Sequence, residues 1–189
     1  MIQKWLPMLC AGMLMVACSK KEGDAAAPAE AAPAMTAEAP AAPAAAETLT
    51  VTKEIVLPIA PAALWAKVGD FNGLNTWHPA IAKSEIVSGT NNEVGAHRKL
   101  TLADGAVVVE ELAARDDAGH SLAYTIVESP LPVTDYRSTL SVAAEGEGSK
   151  LTWSGTFKPA AGVEPAKATE IIGGIYQAGI DTLAKPAGG

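Results

Sequence analysis

Three consecutive stretches in the second half of this chain alternate apolar and polar residues without a break. Over 121–126, Leu122, Tyr124 and Ile126 alternate with Ser121, Ala123 and Thr125. Over 135–142, Tyr136, Ser138, Leu140 and Val142 alternate with Asp135, Arg137, Thr139 and Ser141. Over 151–158, Leu151, Trp153, Gly155 and Phe157 alternate with Thr152, Ser154, Thr156 and Lys158. A period of two sends each set to one face of a strand. The result is an antiparallel sheet with one solvated face and one apolar face that needs a cover. The C-terminal stretch 165–184 supplies it: a predicted helix with Ile171, Ile172, Ile175, Ile180 and Leu183 at helical spacing.

The rest of the element order follows from the same reading. Residues 47–56 predict a strand. Pro61, at a position that tolerates its missing N–H, opens a short helix to Val68. The run Gly69-Asp70-Phe71-Asn72-Gly73 breaks it, and a helical turn over 74–77 ends at Pro79. Further strands are predicted over 81–88, 96–102 and 107–115. The order is one strand, two short helices, six strands and one long helix. This is an α+β class with seven antiparallel strands.

Composition places the domain within the chain. The 189 residues allow one ordinary domain with a tail. Hydrophobic residues make up 49% and aromatic ones only 5%, so much of the apolar content is alanine. Residues 25–46 hold fourteen alanines and four prolines, and predict an extended tether. Residues 1–17 carry Lys4, then an apolar run from Trp5 to Ala17 that is too short to span a bilayer, so they predict a secretory signal. Met15-Val16-Ala17-Cys18 resembles a bacterial lipoprotein signal box, departing from it at Met15, where leucine is usual. That resemblance implies that Cys18 is lipidated and anchors the chain in a membrane. Ser19 in place of aspartate favours the outer membrane of the periplasm. The expected division is signal 1–17, anchor and tether 18–47, and domain 48–185.

The element order and several segments resemble the SRPBCC superfamily of helix-grip proteins. It includes START lipid-transfer domains, birch-pollen-allergen-like proteins and polyketide cyclase/dehydrase-like proteins. The segments include Asp70 to Pro79, Val94 to Arg98, Leu102 to Gly105, Glu110 to Leu112, Asp135 to Ser138 and Thr152 to Phe157. Small bacterial polyketide cyclase/dehydrase-like members are the most similar, among them a periplasmic accessory protein of methanol oxidation. The resemblance implies a curved sheet gripping the long helix, with a cavity between them for an apolar small molecule or lipid.

Which polar residues face that cavity depends on one hairpin. A two-residue Asp104-Gly105 turn pairs Arg98 with Glu111 and turns Val107, Val109, Glu111 and Ala113 inward. A three-residue loop, Ala103 to Gly105, pairs Arg98 with Glu110 and turns Val108, Glu110, Leu112 and Ala114 inward. Leu112 favours the second register and Val109 the first. The resemblance favours the second, because a glutamate at the matching place lines the cavity of plant abscisic-acid receptors. The expected lining on this side is Arg98, Leu100, Leu102, Val108, Glu110 and Leu112, with Arg98 paired to Glu110. That pair reads either as an anchor for a ligand carbonyl or carboxylate, or as an ordinary cross-strand ion pair. Tyr124, Ile126, Tyr136, Ser138 and Trp153 complete the sheet wall, and Ile172, Ile175 and Tyr176 the helix wall. Trp77, His78 and Pro79, with Asp104 and Gly105, are expected at the mouth. Gly173-Gly174 weakens the long helix by roughly 1–2 kcal/mol in propensity and reads as a bend, a close approach or tight packing.

Several function classes are disfavoured. A net charge of −7 argues against general nucleic-acid binding. The three histidines show no metal-ligand spacing, so no metal is expected. A nucleophile elbow, a phosphate-binding loop and a dinucleotide fingerprint are missing, so no cofactor is expected. Three readings remain: a lipid-anchored binding protein, a cyclase- or dehydratase-like enzyme using Arg98, Glu110, Tyr136 or His78, and an accessory protein for a periplasmic oxidation partner. The binding reading is preferred. An internal volume below roughly 300 Å³ would count against a typical small-molecule pocket.

Overall fold

The structure is a computed structural model and describes residues 47–185. The expected signal, lipidated Cys18 and Ala/Pro-rich tether fall outside the described residues. The elements are β1 (Leu49–Leu57), α1 (Pro61–Val68), a 3₁₀ turn (Phe71–Thr76), β2 (Ile81–Ser88), β3 (His97–Leu102), β4 (Val107–Asp116), β5 (Ser121–Glu128), β6 (Val133–Glu145), β7 (Gly148–Pro159) and α2 (Pro165–Leu183). All seven strands form one curved antiparallel sheet in the order β1-β7-β6-β5-β4-β3-β2. The strands β1 and β2 are consecutive in the chain yet occupy opposite edges, so α1 and the 3₁₀ turn carry the chain across the sheet. This is the helix-grip arrangement that the resemblance implies.

Alternation decides the faces. Leu122, Tyr124, Tyr136, Ser138, Leu140, Val142, Leu151, Trp153 and Phe157 are buried, while their neighbours in the chain are mostly half-buried or exposed. Ala168, Ile172, Tyr176, Gly179, Ile180 and Leu183 form the buried stripe of α2, at the three- and four-residue spacing that keeps side chains on one helix face. Asp70 starts the 3₁₀ turn: its carboxylate accepts from Asn72 N–H at 3.1 Å, satisfying a donor that the turn leaves free.

Two local irregularities shape the inner face. The β3–β4 hairpin takes the three-residue loop. Leu102 N–H donates to Ala106 O at 2.8 Å, and Gly105 has φ +88°. Arg98 therefore pairs with Glu110 and Leu100 with Val108. A bulge in β6 between Thr134 and Arg137 holds Asp135 at φ 52°. An extra residue there resets the side-chain alternation, and Tyr136 is buried beside the helix.

Candidate functional site

The charged pair lies on the inner face of β3 and β4. Arg98 Nε and Nη2 both donate to Glu110 Oε2 at 2.7 Å. Nη1 donates to the Phe71 carbonyl. The guanidinium carbon lies 4.3 Å from the Phe71 ring centre and 5.0 Å from that of Tyr124. Arg98 and Glu110 are 3% and 6% exposed, so neither charge is hydrated from bulk water. Burial pushes the Glu110 carboxyl above its ordinary value, and the Arg98 charge pulls it part of the way back. Among the described residues, Glu110 Oε1 accepts no hydrogen bond.

Beside the pair is a network of hydroxyls and rings whose proton directions are fixed by counting. Ser138 carries one proton, and its hydroxyl donates it to the Ser154 carbonyl at 3.1 Å. Tyr176 must then donate to Ser138, at 3.0 Å, and Tyr136 to Tyr176, at 2.6 Å. Trp153 Nε1–H is shared between Ser138 Oγ and Tyr124 Oη, both at 3.0 Å. The Trp153 indole stacks on Tyr176 with centroids 4.4 Å apart. Burial pushes the Tyr124 phenol up to about 12, with the nearby Glu110 charge adding to it. Burial also raises Tyr136 and Tyr176, so all three phenols stay protonated at neutral pH.

His78 ties the 3₁₀ turn to the helix. Its Nε2–H donates to the Ile175 carbonyl at 2.9 Å, and its Nδ1 accepts from Ala80 N–H at 3.3 Å. A carbonyl can only accept, so the ring is the neutral Nε2–H tautomer. Burial lowers its pKa, and the Arg98 charge adds a smaller push, against the bond to Ile175 that favours protonation. Both ring nitrogens are engaged by backbone, which leaves no lone pair for proton abstraction. The ring fits because position 179 is glycine. A Cβ there would lie 2.8 Å from His78, 2.9 Å from Trp153 and 3.0 Å from Trp77.

Between the sheet and α2 lies a cavity of about 60 Å³. Its apolar wall comes from Leu100, Leu102, Val108, Ile126, Ile172 and Ile175. Glu110, Tyr124, Tyr136, Trp153, Tyr176 and His78 supply the remaining polar and aromatic lining. Small-molecule sites commonly measure roughly 300–1,000 Å³, so this volume counts against a typical small-molecule pocket, and the cavity is closed to ligands of that size as it stands. Ile81, Leu102, Ile126, Leu131 and Ile175 are only half-buried, so the cavity nears the surface on their side.

Some expected site residues lie elsewhere. Arg98 does not line this cavity. It sits behind Glu110, against a separate void of about 10 Å³, because its donors are directed to Glu110 and Phe71. Leu112 and Ser138 are fully buried off the cavity wall, one in the aliphatic core and the other in the hydroxyl network. The expected mouth is not assembled. Trp77 is packed in the core at 4% exposure, since Gly179 lets its ring approach the helix. His78 lines the cavity itself, and Pro79 is exposed. Asp104 and Gly105 are exposed in the hairpin loop, where Asp104 Oδ1 accepts from Ala106 N–H at 3.0 Å and closes the turn. Gly173 and Gly174 do not line the cavity, and a Cβ at Gly174 would meet nothing within 4 Å. Sequence reasoning missed Leu74, Ala80, Ile81 and Leu131 as lining. The first three sit in or next to a short helical turn with no periodicity to assign a face.

Comparison with known proteins gives a consistent set. The model of the family described as polyketide cyclase / dehydrase and lipid transport matches residues 48–188. The protein XoxI of Bacillus cereus is similar at a TM-score of 0.66 and 32% identity, over 71% of this chain and 92% of that one. An uncharacterized protein of Bacillus thuringiensis matches at 0.65 and 33%, over 71% and 96% of the two chains. A Thermobifida fusca protein matches at 0.63 and 27%, over 71% and 90%.

Proposed function

This chain belongs to the polyketide cyclase / dehydrase and lipid transport family, and from that premise we propose that its domain is a binding module for a small, largely apolar molecule held between the sheet and α2. The observation that carries the reading is the cavity wall: aliphatic side chains from β3, β4, β5 and α2 around one carboxylate oxygen without a partner. Acid–base turnover has less support. His78 has both nitrogens engaged, and the phenols are held protonated by burial.

At about 60 Å³ the cavity is in a closed state. A molecule larger than a few heavy atoms enters by moving the half-buried wall of Leu102, Ile126, Leu131 and Ile175 outward. Aliphatic side chains suit such a movement, because no hydrogen bond is broken when they change rotamer. The module is exported, with residues 1–17 as signal. It is tethered by lipidated Cys18 through residues 18–47 and works on the periplasmic side of the outer membrane.

Native mass spectrometry of the full protein purified from its own envelope tests this reading. The expected result is a small molecule released on activation, together with acyl chains on Cys18. Replacement of Cys18 by Ser should move the protein from the membrane fraction to the soluble fraction. A chain that carries no small molecule but co-purifies with a stoichiometric protein partner would overturn the binding reading in favour of the accessory role.

A further inference from the structure

The hydrogen-bond count around the cavity specifies more than an apolar occupant. It rests on the binding reading above and narrows the chemistry of what is bound. Ser138 has both acceptor sites taken, by Trp153 and Tyr176, and its proton goes to Ser154 O. Tyr124 accepts from Trp153 and neighbours Ser138, whose acceptor sites are already taken, so its own proton has no free acceptor among the described residues. Tyr124 lines the cavity, as does Glu110. The two residues sit on adjacent strands of the inner face, where Glu110 is opposite Ile126 and Leu112 opposite Tyr124. The cavity wall thus offers one donor without an acceptor, Tyr124 O–H, and one acceptor without a donor, Glu110 Oε1.

The Arg98 charge is already paired with Glu110, and no further positive charge among the described residues faces the cavity. No lysine or arginine is among the described residues that line the cavity, and Arg98 is held behind Glu110. A ligand carboxylate would meet a buried carboxylate with no cation of its own to pair with, and burying an unpaired charge is costly. An ether or ketone offers only acceptors, so it could use Tyr124 and leave Glu110 Oε1 desolvated and unsatisfied. A hydroxyl group both donates and accepts. Sites with buried polar groups discriminate most strongly against analogues that leave those groups unpaired.

We infer that the cavity selects short aliphatic alcohols, with the ligand hydroxyl donating to Glu110 Oε1 and accepting from Tyr124 O–H, and that it rejects carboxylates of the same length. The closed volume of about 60 Å³ fits a short chain better than a lipid. This selection differs from the reading of the Arg98–Glu110 pair as an anchor for a ligand carbonyl or carboxylate, which the sequence left open beside an ordinary cross-strand ion pair.

The test is a titration of the full chain, labelled at Ile, Leu and Val methyls, by NMR at neutral pH. Three probes are compared: 1-pentanol, its isomer butyl methyl ether, and pentanoate. The expected result is shifts confined to the methyls of Leu102, Val108, Ile126, Ile172 and Ile175, with pentanol at least tenfold tighter than either other probe. Equal affinity for the ether overturns hydroxyl selection and leaves the binding reading standing. Tighter binding of pentanoate does the same. Failure of all three probes to shift those methyls overturns both.

A second arm removes the preference. In Glu110→Gln the amide oxygen can keep Arg98 while its NH₂ faces the cavity as a donor. The margin of pentanol over the ether should then fall to within about twofold; a margin still above tenfold would overturn the role given to Glu110. The wild-type series decides the proposal even where this variant folds poorly.

Discussion

The inner face of the sheet has two halves that were built by different rules. One is filled by aromatic rings and hydroxyls: Trp77, Trp153, Tyr176 and Ser138 pack around Gly179 and Gly155, and almost every polar atom has a fixed partner. The other is walled by Leu100, Leu102, Val108, Ile126 and Ile175, and it encloses the cavity. Rings with directed hydrogen bonds fit in one arrangement only. Aliphatic side chains tolerate several, so the volume that can change lies on their side. The Arg98–Glu110 pair stands where the halves meet and belongs to both.

That contrast can be broken most forcefully at the boundary. Arg98→Met should strand the Glu110 charge in the core and cost about 3–5 kcal/mol in urea denaturation. Adding Glu110→Leu to it should recover most of the loss. A double variant as unstable as the single one would mean that packing, not the stranded charge, is responsible. Next is Gly155→Ala on the ring side, where the new Cβ would collide with Tyr176 Oη. It should cost about 2–3 kcal/mol, because the ring must leave its hydrogen bond to Ser138.

A matched pair then compares the halves directly. Val142→Leu, in the filled core, should cost about 1–3 kcal/mol for overpacking. Val108→Leu adds the same methylene beside the cavity and should fall within about 0.5 kcal/mol of wild type or stabilise the fold. Equal costs at the two positions would show the halves to be packed alike.

The smallest effect is read against pH. The His78 pKa is lowered in the folded state, so below its ordinary value of 6.5 the unfolded chain binds a proton that the folded chain does not. Stability should therefore fall as pH drops through that value, down to the folded pKa. Glu110 acts with the opposite sign: its raised pKa gives stability that is lost as pH rises from 4.5 through its folded value. Subtracting the profile of His78→Gln from that of wild type isolates the histidine. A flat difference between pH 7.5 and 5.5 would show that His78 does not titrate differently on folding.

The sheet and its cover were legible because a period of two reports a face directly, whatever the strand later packs against. The pairing of Arg98 with Glu110 was narrowed to two hairpins, and the choice rested on whether the loop holds two residues or three. The hydrogen bond from Leu102 N–H to Ala106 O decides it, with Gly105 in the left-handed conformation and Asp104 outside it. The site around His78 was not legible. Its partner carbonyl, at Ile175, is 97 positions away, and no local pattern announces that contact. The useful signal was Gly179, a glycine on the apolar stripe of a helix, where a side chain would ordinarily be expected. The adjacent pair Gly173-Gly174 is more conspicuous in the sequence but is far less constrained. The cavity's size was out of reach as well, since it depends on rotamers rather than on residue type.

The glycines of α2 also say what this sequence is free to become. At Gly179 every substitution collides with three rings at once, so no residue with a side chain is admissible without rebuilding the interior. At Gly174 the space is open, and alanine should strengthen the helix by about 1 kcal/mol. A library of variants would record one position as nearly silent and the other as permissive, five residues apart on one helix. Glycine at 179 is required by its neighbours. Glycine at 174 is a choice that helix stability alone would not have made.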